Sequence, residues 1–215
     1  RVGSGQMKRR AFLAASLPAA LAACGVETIW DTDEAIRRAR YVSPEPPSIT
    51  LLTVIGIPRG EGGHSALMFN GSQRVIYDGA GSWRHPFIPE RGNVLYGITD
   101  NFKAFYLDYH ARETYWVAED SVPVSREVAD LGIRSAEQNG PARRSFCAVE
   151  AGRILRRVPG FEAAPVGFSP LRLRNWFLTL PNVTSKRHFS GDPANNHDVL
   201  IRQRDGTIRG AQGRA

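Results

Sequence analysis

The sequence has few of the residues that build small cross-linked or metal-bound domains. Its 215 residues include only two cysteines, Cys24 and Cys147, and no closely spaced cysteine pair of the kind that binds zinc. No uncharged stretch reaches the ~20 residues that a membrane-spanning helix needs. Internal repeats and nucleic-acid-binding motifs are also absent. These absences exclude a disulfide-rich scaffold, a zinc module and a permanent transmembrane helix.

The first residues carry more than half of the excess positive charge. Met7 is followed by three basic residues and then by the 13 uncharged residues Ala11–Ala23, which is typical of an export signal. We take residues 1–6 as an upstream remnant. Residues 1–23 contain four basic residues and no acidic one, so their removal lowers the formal net charge from +7 to +3 and leaves 192 residues. That length suffices for one domain with a sizeable core, and nucleic-acid binding is not expected.

The end of the export segment looks like a bacterial lipobox. Leu21–Gly25 reads Leu-Ala-Ala-Cys-Gly, and the resemblance implies that Cys24 is acylated and becomes the first residue. The protein would then be lipid-anchored in the cell envelope, on the periplasmic side. No acidic residue directly follows Cys24, which favours the outer membrane. A plain secretory signal is the alternative, and Arg9-Arg10 leaves both Sec and twin-arginine export open.

The chain after the export segment divides into a lead-in, one domain and a tail. Residues 24–47 are expected to be the lipidated cysteine and a linker, with a short helix capped by Asp31 and stopped by three prolines. Residues 48–204 form the domain. The Gly/Arg-rich residues 205–215 are expected to be a flexible tail.

Strands come first in the predicted domain. The apolar, β-branched run Ser48–Ile57 predicts a buried strand. His64–Phe69 and Arg74–Ala80 predict a hairpin, because Asn70-Gly71 between them is a strong turn signal. A further strand is predicted in Glu113–Val124.

Four helices are expected within the domain, each from a capping residue followed by apolar positions at helical spacing. They begin at Thr99 or Asp100, at Ser125, at Ser145 and at Ser169. Strands followed by a helix, a strand and more helices indicate an α+β domain with a mostly antiparallel sheet packed against helices.

Cys147 has no partner within the chain if Cys24 carries lipid. An unpaired cysteine in an exported protein suggests a reactive thiol or an intermolecular bond, and a buried inert cysteine is the plain alternative. With Ser145 as the N-cap, Cys147 occupies the second helical position. Free backbone N–H groups at that position favour the thiolate. The local sequence leaves the reactive and the inert interpretation open.

A cysteine nucleophile needs an imidazole to take its proton and a third group to orient the ring. If the hairpin loop is Asn70–Ser72, Phe69 lies opposite Gln73 and His64 lies opposite Asp78. Directly opposed side chains share a face with Cβ atoms roughly 4.5–5.5 Å apart. A slip of one residue would move Asp78 to the other face. His64 and Asp78 are therefore the candidate base and orienting residue.

The other four histidines are weaker candidates. His85 precedes a proline in irregular sequence, and His188 and His197 are expected in polar loops. His110 lies on the aromatic-rich helix and is expected to pack or to face solvent.

Three short segments together resemble a known family. Gly63–Leu67 on one strand, Tyr77-Asp78 on the next and Phe146–Ala148 at the start of a later helix resemble the circularly permuted, papain-like NlpC superfamily. That group includes the lecithin–retinol acyltransferase-like proteins. In its permuted members the histidine strand and the polar third residue precede the cysteine helix. The resemblance covers roughly residues 48–180 and implies a permuted papain-like fold.

The resemblance also implies a catalytic role for three side chains: Cys147 as nucleophile, His64 as general base and Asp78 as the orienting residue. The expected chemistry is acyl transfer at an amide or ester, without a metal or organic cofactor. Peptidoglycan peptides are the abundant amides of the envelope, so a cysteine amidase or peptidase of cell-wall peptides is expected, and a lipid or ester acyl substrate stays open. The alternative is a non-catalytic envelope lipoprotein that uses the fold for binding or scaffolding. The oligomeric state is not predicted.

Overall fold

The computed structural model describes residues 29–81, 83–196 and 199. The expected export segment 1–23, the lipobox Cys24, the tail 205–215 and His197 lie outside the described residues. No helix in the described part of the chain is both long and apolar enough to cross a membrane.

The described residues include five helices and seven strands. The helices are α1 (Asp33–Ala39), α2 (Asp100–His110), α3 (Arg126–Asn139), α4 (Cys147–Leu155) and α5 (Pro170–Phe177). The strands are β1 (Ser48–Gly56), β2 (Gly62–Asn70), β3 (Arg74–Tyr77), β4 (Glu90–Arg91), β5 (Val94–Tyr96), β6 (Tyr115–Pro123) and β7 (Thr184–His188).

The strands form one antiparallel sheet in the order β4-β5-β3-β2-β1-β6-β7. The α+β class with a mostly antiparallel sheet and helices is therefore confirmed. β1 lies at the centre and pairs with both β2 and β6. Every residue of β1 except Ser48 is buried, as its nearly continuous apolar run predicts.

Helices cover both faces of the sheet. Successive residues of a strand point to opposite faces, so each strand contributes to two cores. On one face, Leu67 and Phe69 of β2 pack with residues of α3, α4 and α5. On the other face, Ala66 and Met68 pack with α2 and with Trp83. The sheet is thus the middle of three layers, with α4 on one side and α2 on the other.

Three helix starts confirm their predicted capping residues. The side-chain oxygens of Thr99, Ser125 and Ser169 each accept a hydrogen bond from the backbone N–H three residues later. Each bond satisfies one of the N–H groups that the first turn of a helix leaves unpaired. Local sequence therefore fixes the starts of α2, α3 and α5.

The lead-in segment packs against the domain. Thr32, and not Asp31, caps α1, so the predicted cap is wrong. The Asp31 carboxylate instead accepts a hydrogen bond of 2.8 Å from the backbone N–H of Glu90 in β4. Further along, the carboxylate of Glu45 lies 2.8 Å from the guanidinium of the fully buried Arg74.

The start of α4 differs from the prediction. Ser145 has a φ of +67°, whereas an N-cap residue has an extended conformation. Phe146 is the N-cap and makes no side-chain capping bond. The prediction of Ser145 as the cap is therefore wrong, and Cys147 is the first helical residue instead of the second. Its backbone N–H remains one of the four that no intrahelical acceptor can reach.

The hydrophobic pattern does not predict β4, β5 or β7. β7 is polar and mostly exposed, and it forms by pairing with the outer edge of β6. His188 lies in β7 and not in a polar loop as expected. Its Nε2 atom is 2.7 Å from the Glu119 carboxylate in β6.

Candidate active site

The hairpin of β2 and β3 has a register two residues away from the expected one. Its loop is 71–73, so Phe69 lies opposite Val75 and not opposite Gln73. The predicted direct pairing of His64 with Asp78 is therefore wrong. A shift of two residues keeps the side chains on the same face, because the side-chain period of a strand is two. Asp78 consequently still belongs to the face of His64.

Asp78 reaches His64 because β3 ends one residue earlier. The carboxylate Oδ1 atom lies 3.0 Å from His64 Nε2. Nε2 has no geometrically well-formed hydrogen bond, so we describe the contact as a close ion pair. The His64 side chain is 10% exposed and that of Asp78 is 2% exposed. The two groups thus face each other in a nearly dry environment.

Two further groups hold the Asp78 carboxylate in place. The backbone N–H of Ala80 donates to Oδ1 at 3.0 Å, which closes a tight turn after β3. The Tyr106 hydroxyl, from α2, donates to Oδ2 at 3.1 Å. Since both carboxylate oxygens are engaged, the side chain has a fixed orientation toward His64.

Cys147 approaches the same place from the other layer. Its thiol is free and partly exposed, and it lies close enough to the His64 side chain and to the backbone N–H of Ser65 for both to lower its pKa. The close approach depends on Gly79, where a Cβ atom would lie 3.1 Å from the Cα of Cys147. A larger residue after Asp78 would push the start of α4 away from the histidine.

The charges of the three groups support one another. Burial alone would lower the pKa of His64, but the adjacent Asp78 carboxylate and Cys147 raise that pKa to about 10. Burial alone would raise the pKa of Cys147, but His64 and the N–H groups of Ser65 and Ala148 lower it overall. The same histidine lowers the pKa of Asp78 in spite of its burial. The arrangement therefore favours a thiolate next to an imidazolium.

Sequence reasoning missed two residues that complete this site. Tyr106 and His110 lie one turn apart on α2, so they share a face. His110 packs within the protein, which is one of the two expected alternatives. It packs beside the catalytic candidate, since its ring centroid lies 5.6 Å from that of His64. Burial lowers the pKa of His110 to about 4, so its imidazole is neutral. The i, i+4 spacing of a tyrosine and a histidine was the available signal.

The remaining described histidines lie outside the site. His85 is buried among aromatic side chains, with its ring centroid 5.0 Å from that of Phe102. His188 is engaged with Glu119. Among the residues that the structure describes, one group could hold a metal ion, and it consists of His64, Asp78 and His110.

The surface beside the sulfur is aromatic. Phe146, immediately before Cys147, contacts Phe168 with ring centroids 4.9 Å apart. Phe168 is 67% exposed, so this apolar pair lies next to the thiol at the protein surface.

The arrangement can carry out nucleophilic chemistry, because a thiol of lowered pKa lies beside a protonated histidine that is itself paired with a fixed carboxylate. No protein-family model matches the sequence, and no curated protein or solved structure matches it either.

Proposed function

We propose that this chain is a cysteine hydrolase of the circularly permuted papain-like type. The observation that carries the proposal is the convergence of Cys147, His64 and Asp78 from three separate segments. The order along the chain, with the histidine strand first and the cysteine helix last, agrees with that family's permuted arrangement. The position of the cysteine at the start of a helix packed on an antiparallel sheet also supports it.

The proposed reaction begins with the Cys147 thiolate. It attacks the carbonyl carbon of an amide or ester, and the developing oxyanion is stabilised by the N–H groups at the start of α4, including that of Cys147. With His64 Nε2 held at Asp78, Nδ1 is the ring nitrogen left to carry the transferable proton. His64 gives this proton to the leaving group, which departs and leaves an acyl-enzyme.

Water completes the cycle. His64, now neutral, takes a proton from water, and the resulting hydroxide attacks the acyl-enzyme and releases the acid. Throughout these steps Asp78 keeps its charge and stabilises the imidazolium each time that it forms. Tyr106 and Ala80 hold Asp78 in position.

The substrate class follows from the proposed location. An export signal and a lipid on Cys24 would tether the enzyme on the periplasmic side of an envelope membrane, beside peptidoglycan. We therefore propose an amidase or peptidase that acts on cell-wall peptides. An ester or lipid acyl substrate would use the same attack, so both bond types belong in the test.

The test is hydrolysis of purified muropeptides, followed by mass spectrometry, with a fatty-acyl ester assayed in parallel. Wild type is expected to release peptide fragments, whereas Cys147→Ala and His64→Ala are expected to release none above background. His85→Ala is the matched control, because His85 is also a buried histidine but lies outside the site.

Equal product from wild type and from Cys147→Ala would exclude the proposed nucleophile. Hydrolysis of the ester alone would replace the cell-wall substrate with a lipid acyl substrate. No turnover of either, with an unreactive thiol, would favour a non-catalytic envelope lipoprotein.

A further inference from the structure

His110 has a lone pair that nothing in its surroundings uses. Its Nδ1 atom lies 2.8 Å from the carbonyl oxygen of Tyr106. A carbonyl can only accept a hydrogen bond, so Nδ1 carries the proton and Nε2 carries the lone pair. The Nε2 atom is inaccessible to solvent and has no hydrogen-bond partner. A buried polar atom without a hydrogen-bond partner calls for an explanation, and a bound ion is one that suits a nitrogen lone pair; His64 Nε2 and His85 Nε2 share this state.

The His110 side chain lies next to two other metal-binding groups. One ligand atom from each of His110, His64 and Asp78 lies within 4.8 Å of the other two. His64 Nε2 and Asp78 Oδ1 are already 3.0 Å apart. Ligands bound to one tetrahedral Zn²⁺ at 2.0–2.1 Å are separated by about 3.4 Å. Binding one ion therefore requires the ligand atoms that are farthest apart to approach each other by at most about 1.4 Å.

The two imidazole rings are also close to the separation that a shared ion requires, and their planes are 17° apart. Two imidazoles that bind one tetrahedral ion through nitrogen have ring centroids roughly 5 Å apart, and those of His64 and His110 are 5.6 Å apart. Two histidines and one carboxylate are a donor set that Zn²⁺ accepts, with a water molecule as the fourth ligand.

Tyr106 orients two of the three ligands. Its backbone carbonyl fixes the protonation of His110, and its hydroxyl donates to Asp78 Oδ2 at 3.1 Å. Metal-binding histidines and carboxylates commonly have such outer partners, which raise affinity by holding each donor in place. This feature distinguishes the group from a chance cluster of polar side chains.

We propose that His64, Asp78 and His110 form an inhibitory site for a divalent transition-metal ion, with Zn²⁺ as the best fit. Binding replaces the proton on His64 Nε2 with the ion, and that proton is released to solvent. The metal-bound ring keeps its Nδ1–H, but giving that proton away would create an imidazolate. The inhibitory role rests on the proposed function, because the blocked step is proton donation to the leaving group. Metal binding itself does not depend on it.

The test measures binding and inhibition separately. Co²⁺, which absorbs visible light strongly in a tetrahedral site, is titrated into wild type, His110→Ala and His85→Ala. Wild type is expected to bind one equivalent, His110→Ala at least about tenfold more weakly, and His85→Ala as wild type does. His85 is the matched control, since its Nε2 is also buried and without a hydrogen-bond partner. His110→Gln is a second variant that keeps a polar side chain of similar size. Thermal unfolding of each variant shows whether it is still folded.

The results distinguish the two proposals. If wild type binds no Co²⁺, or if both His110 variants bind as tightly as wild type while folded, the metal site is wrong. If Co²⁺ binds as expected but no hydrolysis occurs, the proposed function is wrong and the site stands. If the metal site and the proposed function are both correct, Zn²⁺ inhibits hydrolysis by wild type and a chelator reverses the inhibition. Cys147 can still be alkylated in the Zn²⁺-bound protein, because the ion does not occupy the thiol. Hydrolysis that Zn²⁺ does not inhibit at saturating binding would overturn the inhibitory role.

Discussion

Replacing Asp78 by asparagine is expected to remove the charge that keeps His64 protonated. The asparagine side chain has the same shape, and its carbonyl oxygen can still accept the hydrogen bond from Ala80. What changes is the negative charge 3.0 Å from His64 Nε2. Without that charge, burial lowers the pKa of His64, and the carboxylate that most strongly raises this pKa is gone.

The size of the effect follows from the distance. Two unit charges 3.0 Å apart interact by about 5.5 kcal/mol at an effective dielectric constant of about 20. Because one pKa unit corresponds to about 1.36 kcal/mol, the pKa of His64 is expected to fall from about 10 to about 6. Most of the imidazole is then neutral at neutral pH. The thiol pKa of Cys147 rises in turn, and kcat/KM falls at least about 100-fold.

An NMR titration of the histidine ring protons measures this pKa directly, with the His64 signal assigned by its loss in His64→Ala. Asp120→Asn is the matched control, because Asp120 is fully buried and pairs with Arg174 at 2.7 Å in another part of the sheet. The control is expected to lose stability and to leave the pKa of His64 unchanged. An equally high pKa in Asp78→Asn and in wild type would refute the electrostatic argument.

Two further substitutions test the supports of the site. At Gly152 in α4 a Cβ atom would lie 2.3 Å from a backbone oxygen of the facing loop. Overpacking of about 1–3 kcal/mol should outweigh the gain of about 1 kcal/mol in helix propensity, so Gly152→Ala should unfold at a lower urea concentration than wild type. Gly167→Ala is the control, because a Cβ atom there has no atom within 4 Å, and its midpoint should not fall. Equal unfolding midpoints for the two variants would contradict this argument. Tyr106→Phe leaves one oxygen of the buried Asp78 unpaired and should lower the free energy of unfolding by about 1–3 kcal/mol. It should also lower kcat more than it changes KM, and unaltered stability and kcat would show that the hydroxyl does not position the carboxylate.

Local signals in the sequence predicted much of the fold. Ser125 and Ser169 are predicted as caps, and Thr99 as one of two candidates, because a hydroxyl before an amphipathic segment satisfies an N–H group regardless of the rest of the chain. The central strand is predicted because nearly all of its residues are apolar or β-branched. β7 was missed because its residues are polar, and only the free edge of β6 makes them a strand. Such pairing depends on the completed sheet and leaves no hydrophobic period.

The sequence predicts the site only in part, because some of its contacts depend on local signals and others on the completed fold. His64 and Asp78 were found by strand parity, which survived an error of two residues in the register. Ser145 was a wrong cap because the chain turns there with a positive φ, a feature that tertiary contacts impose on a serine. The spacing of Tyr106 and His110 indicates a shared helix face, but the approach of His110 to His64 depends on how α2 packs on the sheet, which that local spacing does not encode.

The central claim is that the imidazole of His64 activates the thiol of Cys147. With Cys24 replaced by serine, Cys147 is the only thiol in the chain. Its alkylation by iodoacetamide can be followed from acid to alkaline pH in two proteins, one with His64 and one with His64→Ala. Because only the thiolate reacts, we expect half-maximal labelling of the protein with His64 well below the free-thiol pKa of ~8.5, and a clear rise of that midpoint when the imidazole is removed. Identical curves for the two proteins, or labelling that begins only after denaturation, would contradict the account.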